Sequence, residues 1–147
     1  MKMKIGSHLT YEGAFGITRD VAKLVGLEKY TPHHHAIYVG DGNIVHFSGG
    51  HDGNADPEAA RVVLDTLENF EKAARRRGAE VRVHPRPEAD SPQVVRRRCL
   101  EMVGRGGYNP ITNNCEDLAW YCLTGTARSE QRERIVGDLL GAIFGKD

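Results

Sequence analysis

The residues of this chain best suited to chemistry are two histidines and a cysteine. His34 and His46 lie in one short alternating segment, and Cys115 lies far downstream, within an Asn-Asn-Cys-Glu-Asp stretch at 113–117. A thiolate attacks esters and thioesters readily, and an imidazole can take and return its proton. The three side chains therefore indicate thioester chemistry, provided that the fold brings them together.

A helix is predicted to begin near Cys115. Asn113 and Asn114 are favoured N-cap residues, and Glu116 and Asp117 place anions in the first turn. There the helix dipole is expected to lower the pKa of the thiol. The Cys115 N–H has no partner inside the helix and is free to stabilise an oxyanion. A buried structural cysteine is the alternative.

The histidines lie on two predicted strands, 34–39 and 44–48, which alternate and are separated by a Gly-Asp-Gly stretch. That pattern is typical of a β-hairpin. We expect a three-residue loop, formed by a type I turn followed by Gly42 in the left-handed region.

The loop length decides which histidines share a face. The three-residue loop places Ala36 opposite His46, so that His34 and His46 are diagonal neighbours on one face. A loop of two or four residues would shift the parity by one and bring His35 to the face of His46. We favour the first register, because Gly42 fits the left-handed position of a three-residue loop and because the family resemblance given below agrees with it.

In the favoured register, His34 is the predicted general base that takes the Cys115 proton. His46 is the predicted third member, which orients the first imidazole and stabilises its charged form. A zinc site built from His33, His34, His35 and His46 is the rival. Adjacent strand residues point to opposite faces, so at most two of the first three could converge. We expect no metal and no cofactor.

Size and composition predict one domain. The chain has 147 residues, 39% of them hydrophobic and 27% charged, with a formal net charge of zero. We assign 1–147 to one domain, with a core at about 4–126 and an amphipathic C-terminal helix at about 129–145. Zero net charge gives no general attraction to nucleic acid or membrane, and we expect no nucleic-acid partner.

The cysteines indicate the compartment. There are three, an odd number without a Cys-x-x-Cys pair. A reducing, cytoplasmic setting is therefore expected. We also expect no secretory signal, and no apolar run is long enough to span a bilayer. We interpret Cys99 and Cys122 as core residues.

The remaining pattern indicates an α+β fold. Strands and helices are interleaved but hairpin-linked, which favours an antiparallel sheet packed against the helix that carries the cysteine. We predict strands at 3–9, 61–66 and 79–84, a loop at 49–57, and helices at 17–27, 67–77, 92–103 and 115–123.

Two further features bear on partners. The C-terminal helix has an apolar face at helical spacing, so docking on the domain, dimer formation and peripheral membrane contact all stay open. The basic runs 75–77 and 96–98 are typical of solvated helix faces. A dock for an anionic headgroup or a carrier phosphopantetheine is the second interpretation.

The histidine and cysteine segments together resemble the lecithin:retinol acyltransferase (LRAT) domain family. That family belongs to the circularly permuted NlpC/P60, papain-like superfamily. The segment 34–42, the second histidine twelve residues after the first, and the Asn114-Cys115-Glu116 box match in order and spacing. Tyr108, seven residues before the cysteine, matches a tyrosine that the family keeps near the oxyanion site.

The resemblance implies a permuted NlpC/P60 fold and a thiol acyltransferase of lipid metabolism. Cys115 would accept an acyl group from a lipid ester or a carrier-bound thioester and pass it to an amine, alcohol or water. Asp117 and Leu118 depart from animal members, which usually have histidine and an aromatic there, and this puts the lipid substrate in question. A hydrolase of the same fold (phospholipase A-like, thioesterase or amidase) and a non-catalytic binding module are the alternatives.

Overall fold

The fold is built around one five-stranded antiparallel sheet. The computed structural model describes residues 3–12, 33–48, 60–107 and 115–127. The strands are β1 (His8–Glu12), β2 (His33–Gly40), β3 (Asn43–Ser48), β4 (Arg61–Thr66) and β5 (Arg82–His84). Their order in the sheet is β4-β3-β2-β1-β5. The predicted antiparallel sheet is confirmed.

Three described helices complete the α+β fold. Helix α1 (Leu67–Arg76) connects β4 to β5, α2 (Pro92–Met102) follows β5, and α3 (Cys115–Thr124) begins at the cysteine. Helix α3 packs on β2 and β3, as predicted. No described helix is long and apolar enough to cross a membrane. The helices predicted at 17–27 and 129–145, and the loop at 49–57, lie outside the described residues.

The β2–β3 turn differs from the prediction. Asp41 and Gly42 have φ angles of 54° and 76°, so both occupy the left-handed region, and Gly40 pairs with Asn43 across them. This is a two-residue loop with two positive φ angles, which Gly and Asp tolerate well. The expected type I turn is wrong, because it requires negative φ at its central residues.

A β-bulge restores the predicted register. Between the pairs Tyr38↔Ile44 and Gly40↔Asn43, β2 advances by two residues while β3 advances by one. The extra residue cancels the parity shift of the shorter loop. Beyond the bulge Ile37 pairs with Val45, which places Ala36 opposite His46 as predicted.

Each face of the sheet packs against different helices. The α3 face carries Ile37, Val39, Val45, Phe47 and Val62, which pack with Val95 and Cys99 of α2 and with Leu118, Ala119 and Leu123 of α3. The α1 face carries Leu9, Tyr11, Ala36 and Ile44, which pack with Phe70, Ala73 and Ala74 of α1. Every one of these side chains is buried, so both faces belong to the core.

The residues that flank α1 and α2 determine where these two helices begin and end. Thr66 caps α1, since its Oγ1 accepts a hydrogen bond of 3.0 Å from the Asn69 N–H. The helix ends at Arg76, one residue before the predicted end, with Arg77 as its C-cap and Gly78 after it at φ 69°. Ser91 occupies the N-cap of α2, but its side chain makes no capping hydrogen bond.

The structure corrects two strand bounds and one basic run. The Ser7 N–H donates to the Lys4 carbonyl and closes a turn, so β1 begins at His8 rather than at residue 3. Strand β5 covers only 82–84 of the predicted 79–84. In the run 96–98, Arg96 Nε donates to the Val39 carbonyl of β2 at 3.1 Å, and Arg98 Nη1 donates to the Cys122 carbonyl of α3 at 3.4 Å. These arginines therefore fasten α2 to the rest of the domain.

Candidate active site

Two buried imidazoles form the centre of the site. His34 Nε2 and His46 Nδ1 are 2.6 Å apart, and the rings are almost perpendicular, with an interplanar angle of 85°. Both side chains lie on the α1 face and are 0% and 1% exposed. The Phe70 ring covers them, with centroids 5.5 Å from His34 and 5.8 Å from His46. The predicted register has therefore brought these histidines into hydrogen-bond contact.

A carboxylate extends this pair. Asp65 Oδ2 lies 3.3 Å from His46 Nε2. Its Oδ1 accepts hydrogen bonds from the Thr66 N–H at 2.7 Å and from Asn69 Nδ2 at 2.8 Å. The hydrogen bond from His46 is the main reason that the pKa of Asp65 lies well below its usual range, with Asn69 and Thr66 adding to it.

Asp65 was not among the residues predicted from the sequence. It lies on β4 opposite Ile44, two pairs along the strands from His46, which pairs with Val63. The only sequence signal was its position near the end of the predicted strand 61–66, where residues at every second position share the face of the histidines once the β3–β4 register is known. That register depends on the length of the connection between the strands, which the sequence pattern did not define.

The Cys115 sulfur lies beside the main chain of His34. Its Sγ donates to the His33 carbonyl at 3.4 Å, and the His35 N–H donates to the sulfur. These two groups flank His34 and point to the same side of β2, because main-chain groups of alternate residues project in the same direction. Helix α3 packs on the α3 face of the sheet, and its first residue, Cys115, contacts the main chain of β2.

Tyr11, on the α1 face, is affected by the charge of the Cys115 sulfur. The Tyr11 ring lies 5.3 Å from the His34 ring. Burial is the main cause that raises the pKa of Tyr11, and the negative charge of Cys115 in its ionised form raises it further. The sulfur is thus close enough to this face for its charge to act on the neighbour of His34.

The pKa of the thiol differs from the prediction. Burial raises the pKa of Cys115 to about 12, and the Glu116 carboxylate adds to the rise. Hydrogen bonds from the N–H groups of His35, Cys115 and Glu116 act in the opposite direction but are outweighed. The expected lowering by the helix dipole is wrong, because the side chain is only 4% exposed and the charged form loses its hydration.

This shift predicts an unusual pH dependence of alkylation. The rate constant for modification of Cys115 by iodoacetamide is expected to rise about tenfold per pH unit from pH 7 to pH 10, where an unperturbed thiol near pKa 8.5 has already levelled off. Mass spectrometry of the Cys115 peptide measures this rate. A plateau below pH 7 would contradict the prediction, since it would indicate a preformed thiolate.

His35 belongs to a separate network on the α3 face. Arg86 Nε donates to His8 Nδ1 at 2.9 Å, and His8 Nε2 lies 2.8 Å from His35 Nδ1. Burial first, and then Arg86, lowers the pKa of His8 to about 3. Burial likewise lowers the pKa of His35 well below its usual value, and the charges of His8 and its neighbours add to this. Arg86 lies over the Trp120 ring at 4.7 Å.

The other predicted residues have mixed outcomes. Cys99 and Cys122 are both 0% exposed and unbridged, which confirms them as core residues. Tyr108 lies outside the described residues, so its placement near the oxyanion stays a prediction. Within the ranges that the structure describes, no group of three or more His, Cys, Asp or Glu side chains is arranged to hold a metal ion.

The fold and site together define a class of protein. An antiparallel sheet packed on a helix that begins with a cysteine, with paired imidazoles on a central hairpin, agrees with a permuted NlpC/P60-like architecture. A sequence model of the family described as lecithin retinol acyltransferase matches residues 18–128. Because that match covers more than half of the chain, the protein belongs to this family. A comparison with curated proteins found no match.

Membership of the family has a general consequence for function. Its members are typically enzymes, and the family implies activity of an acyl-transfer or acyl-hydrolysis type. The family match includes His34, His46 and Cys115 within its range.

Proposed function

We propose that this protein is a cysteine-dependent acyltransferase that works through a thioester acyl-enzyme. Cys115 is the nucleophile, His34 the general base and acid, and His46 the residue that orients His34. The observation that supports this most strongly is the buried 2.6 Å contact between the two imidazoles. His34 lies on β2, whose main chain contacts the Cys115 sulfur at both neighbours of His34.

The first half-reaction forms the acyl-enzyme. His34 Nδ1 takes the thiol proton while Sγ attacks the carbonyl carbon of an ester or thioester, so that the S–C bond forms as the S–H bond breaks. The Cys115 N–H at the helix start, with Tyr108 as the predicted second donor, stabilises the oxyanion. When the intermediate collapses, the donor's C–O or C–S bond breaks and protonated His34 gives its proton to the leaving alcohol or thiol.

The second half-reaction returns the enzyme to its starting state. An amine, alcohol or water attacks the thioester carbonyl, and His34 takes the proton of this acceptor. The C–S bond of the acyl-enzyme then breaks, and the sulfur recovers a proton from His34. His46, hydrogen-bonded to His34 Nε2, stabilises the imidazolium that exists between the two proton transfers.

The raised pKa of the thiol favours one version of this mechanism. With a pKa of about 12, Cys115 is a neutral thiol at pH 7. The nucleophile is therefore generated during the attack, by transfer of the proton to His34, and no resting thiolate–imidazolium pair is required. This resembles the activation of a serine more than that of a preionised cysteine.

The partners follow from the chemistry. The donor is a lipid ester or a carrier-bound thioester, and the acceptor decides whether the outcome is transfer or hydrolysis. A hydrolase of the same fold is the second candidate, because a site that accepts water differs from a transferase only in its acceptor. We also propose that residues 129–145 mediate either peripheral contact with a membrane or dimer formation.

Product analysis tests the proposal. The protein is incubated with p-nitrophenyl acyl esters and with acyl thioesters, with and without a primary amine, and the products are separated by chromatography. We expect an acyl amide as the main product when the amine is present, and no product from Cys115→Ala. Free acid as the sole product at every amine concentration would favour the hydrolase. Undiminished turnover by Cys115→Ala would rule out both.

A further inference from the structure

The carboxylate of Asp65 ends a hydrogen-bonded chain that crosses three adjacent strands. We propose that Asp65 is a positioning residue that sets the tautomers of His46 and His34, so that His34 presents an unprotonated Nδ1 to its proton donor. This inference rests on the proposed function, since it concerns the base of that reaction. It adds a residue that the sequence analysis did not contain.

The direction of each hydrogen bond follows from which groups can donate and which can only accept. An ionised carboxylate only accepts hydrogen bonds, so a neutral His46 must carry its proton on Nε2, the nitrogen 3.3 Å from Asp65. His46 Nδ1 is then an acceptor, and the 2.6 Å contact requires the proton on His34 Nε2. The proton of neutral His34 is thereby assigned, and its Nδ1 is unprotonated.

The low pKa of Asp65 keeps the hydrogen bonds between Asp65, His46 and His34 in one direction. Asp65 stays ionised through the neutral range because hydrogen bonds from His46, Asn69 and Thr66 lower its pKa. The side chain is 28% exposed, so solvent weakens each of these interactions without removing them. Titratable groups on this side include Tyr11 and Tyr38, together with the charged side chains of α1, of which Arg76 and Arg77 act on Tyr11.

The surroundings of Asp65 make one substitution decisive. Oδ1 accepts from two donors, the Thr66 N–H and Asn69 Nδ2. In Asp65→Asn the amide oxygen takes this position, because an amide nitrogen there would face two donors. The amide nitrogen is then turned toward His46 Nε2 and donates to it. The proton of His46 moves to Nδ1, and the proton of His34 moves from Nε2 to Nδ1.

The test reads the tautomers directly. Protein with nitrogen-15 in its histidine rings is measured by long-range proton–nitrogen correlation NMR at neutral pH, and His34→Gln assigns the signals. We expect the unprotonated nitrogen of His34 to be Nδ1 in the wild type and in Asp65→Glu, and Nε2 in Asp65→Asn. Glu68→Gln is the matched control. It removes one carboxylate from the first turn of α1, where Glu68 pairs with Lys72, and is expected to leave the tautomers unchanged.

Acylation kinetics provide the second readout. The rate of acyl-enzyme formation is expected to fall about 10- to 100-fold in Asp65→Asn and to recover in Asp65→Glu. A wild-type His34 with its proton on Nδ1 would overturn the inference without any variant. Unchanged tautomers in folded Asp65→Asn, or reversed tautomers at an unchanged acylation rate, would also overturn it. If the wild type forms no acyl-enzyme, the proposed function fails, while the tautomer result still decides what Asp65 does to His34.

Discussion

Replacing Cys115 with serine is expected to lower kcat for an ester or thioester at least about 10³-fold, because a hydroxyl is a far weaker nucleophile than a thiol in a site built for sulfur.

His34→Gln is expected to lower kcat about 10²- to 10⁴-fold, which is the usual contribution of a general base. Glutamine keeps the hydrogen bond to His46 within reach but cannot take a proton. Steady-state assays with p-nitrophenyl esters measure both effects.

The chain offers a matched control for each substitution. Cys99→Ala removes a thiol that lies in the core, and it is expected to lower the melting temperature while kcat stays within about threefold. His35→Gln alters the neighbouring imidazole, which faces the opposite side of β2, and kcat is expected to stay within about tenfold. A larger loss in His35→Gln than in His34→Gln would contradict the assignment of the base.

A steep loss of stability in mild acid is expected from the buried pair His8 and His35. The pKa of His8 is lowered from 6.5 to about 3, and that of His35 is also lowered. Folded-state values below the unfolded ones mean that the stabilisation is present above pH 6.5 and is lost as pH falls toward the folded values. From pH 6.5 to 4.5 the loss from His8 alone is roughly 2 to 3 kcal/mol.

Urea unfolding across this pH range measures the effect. The window lies above the range in which Asp65 loses its charge, so the imidazoles dominate the slope. In His8→Gln one titrating group is gone, and the free energy of unfolding is expected to fall less steeply with decreasing pH. His33→Gln, which removes an exposed histidine from the strand of His35, is the matched control. It is expected to change the slope less than His8→Gln does, because burial and His8 act more strongly than His33 on the pKa of His35. Equal slopes in all three proteins would contradict the account.

The hairpin shows what could be predicted from the sequence and what could not. Alternation and the Gly-Asp-Gly stretch were enough to predict both strands. The parity that pairs His34 with His46 was chosen on the assumption of a three-residue loop, which Gly42 fits, and on the family resemblance. The loop prediction was nevertheless wrong. Loop length and the bulge at Val39 have opposite effects on parity. The neighbouring Gly40 is typical of a turn as well as of a bulge, so the sequence did not distinguish the two.

The features that the sequence missed all depend on tertiary structure. Asp65 joins the histidines only through the β3–β4 register, which is a contact between distant segments. The raised pKa of Cys115 follows from burial at the junction of α3 and β2, whereas the sequence alone revealed only the helix start. Local rules describe a helix N-terminus, but desolvation is a property of the packed domain.

The central claim is that Cys115 carries the acyl group while His34 moves the proton. Rapid quenching of the protein with an acyl thioester, followed by peptide mass mapping, tests it most directly. The account predicts an acyl group on Cys115 that appears before product and disappears when an amine is added, and that forms at least about 10²-fold more slowly in His34→Gln. Product formation at the full rate without any acyl group on Cys115 would contradict it.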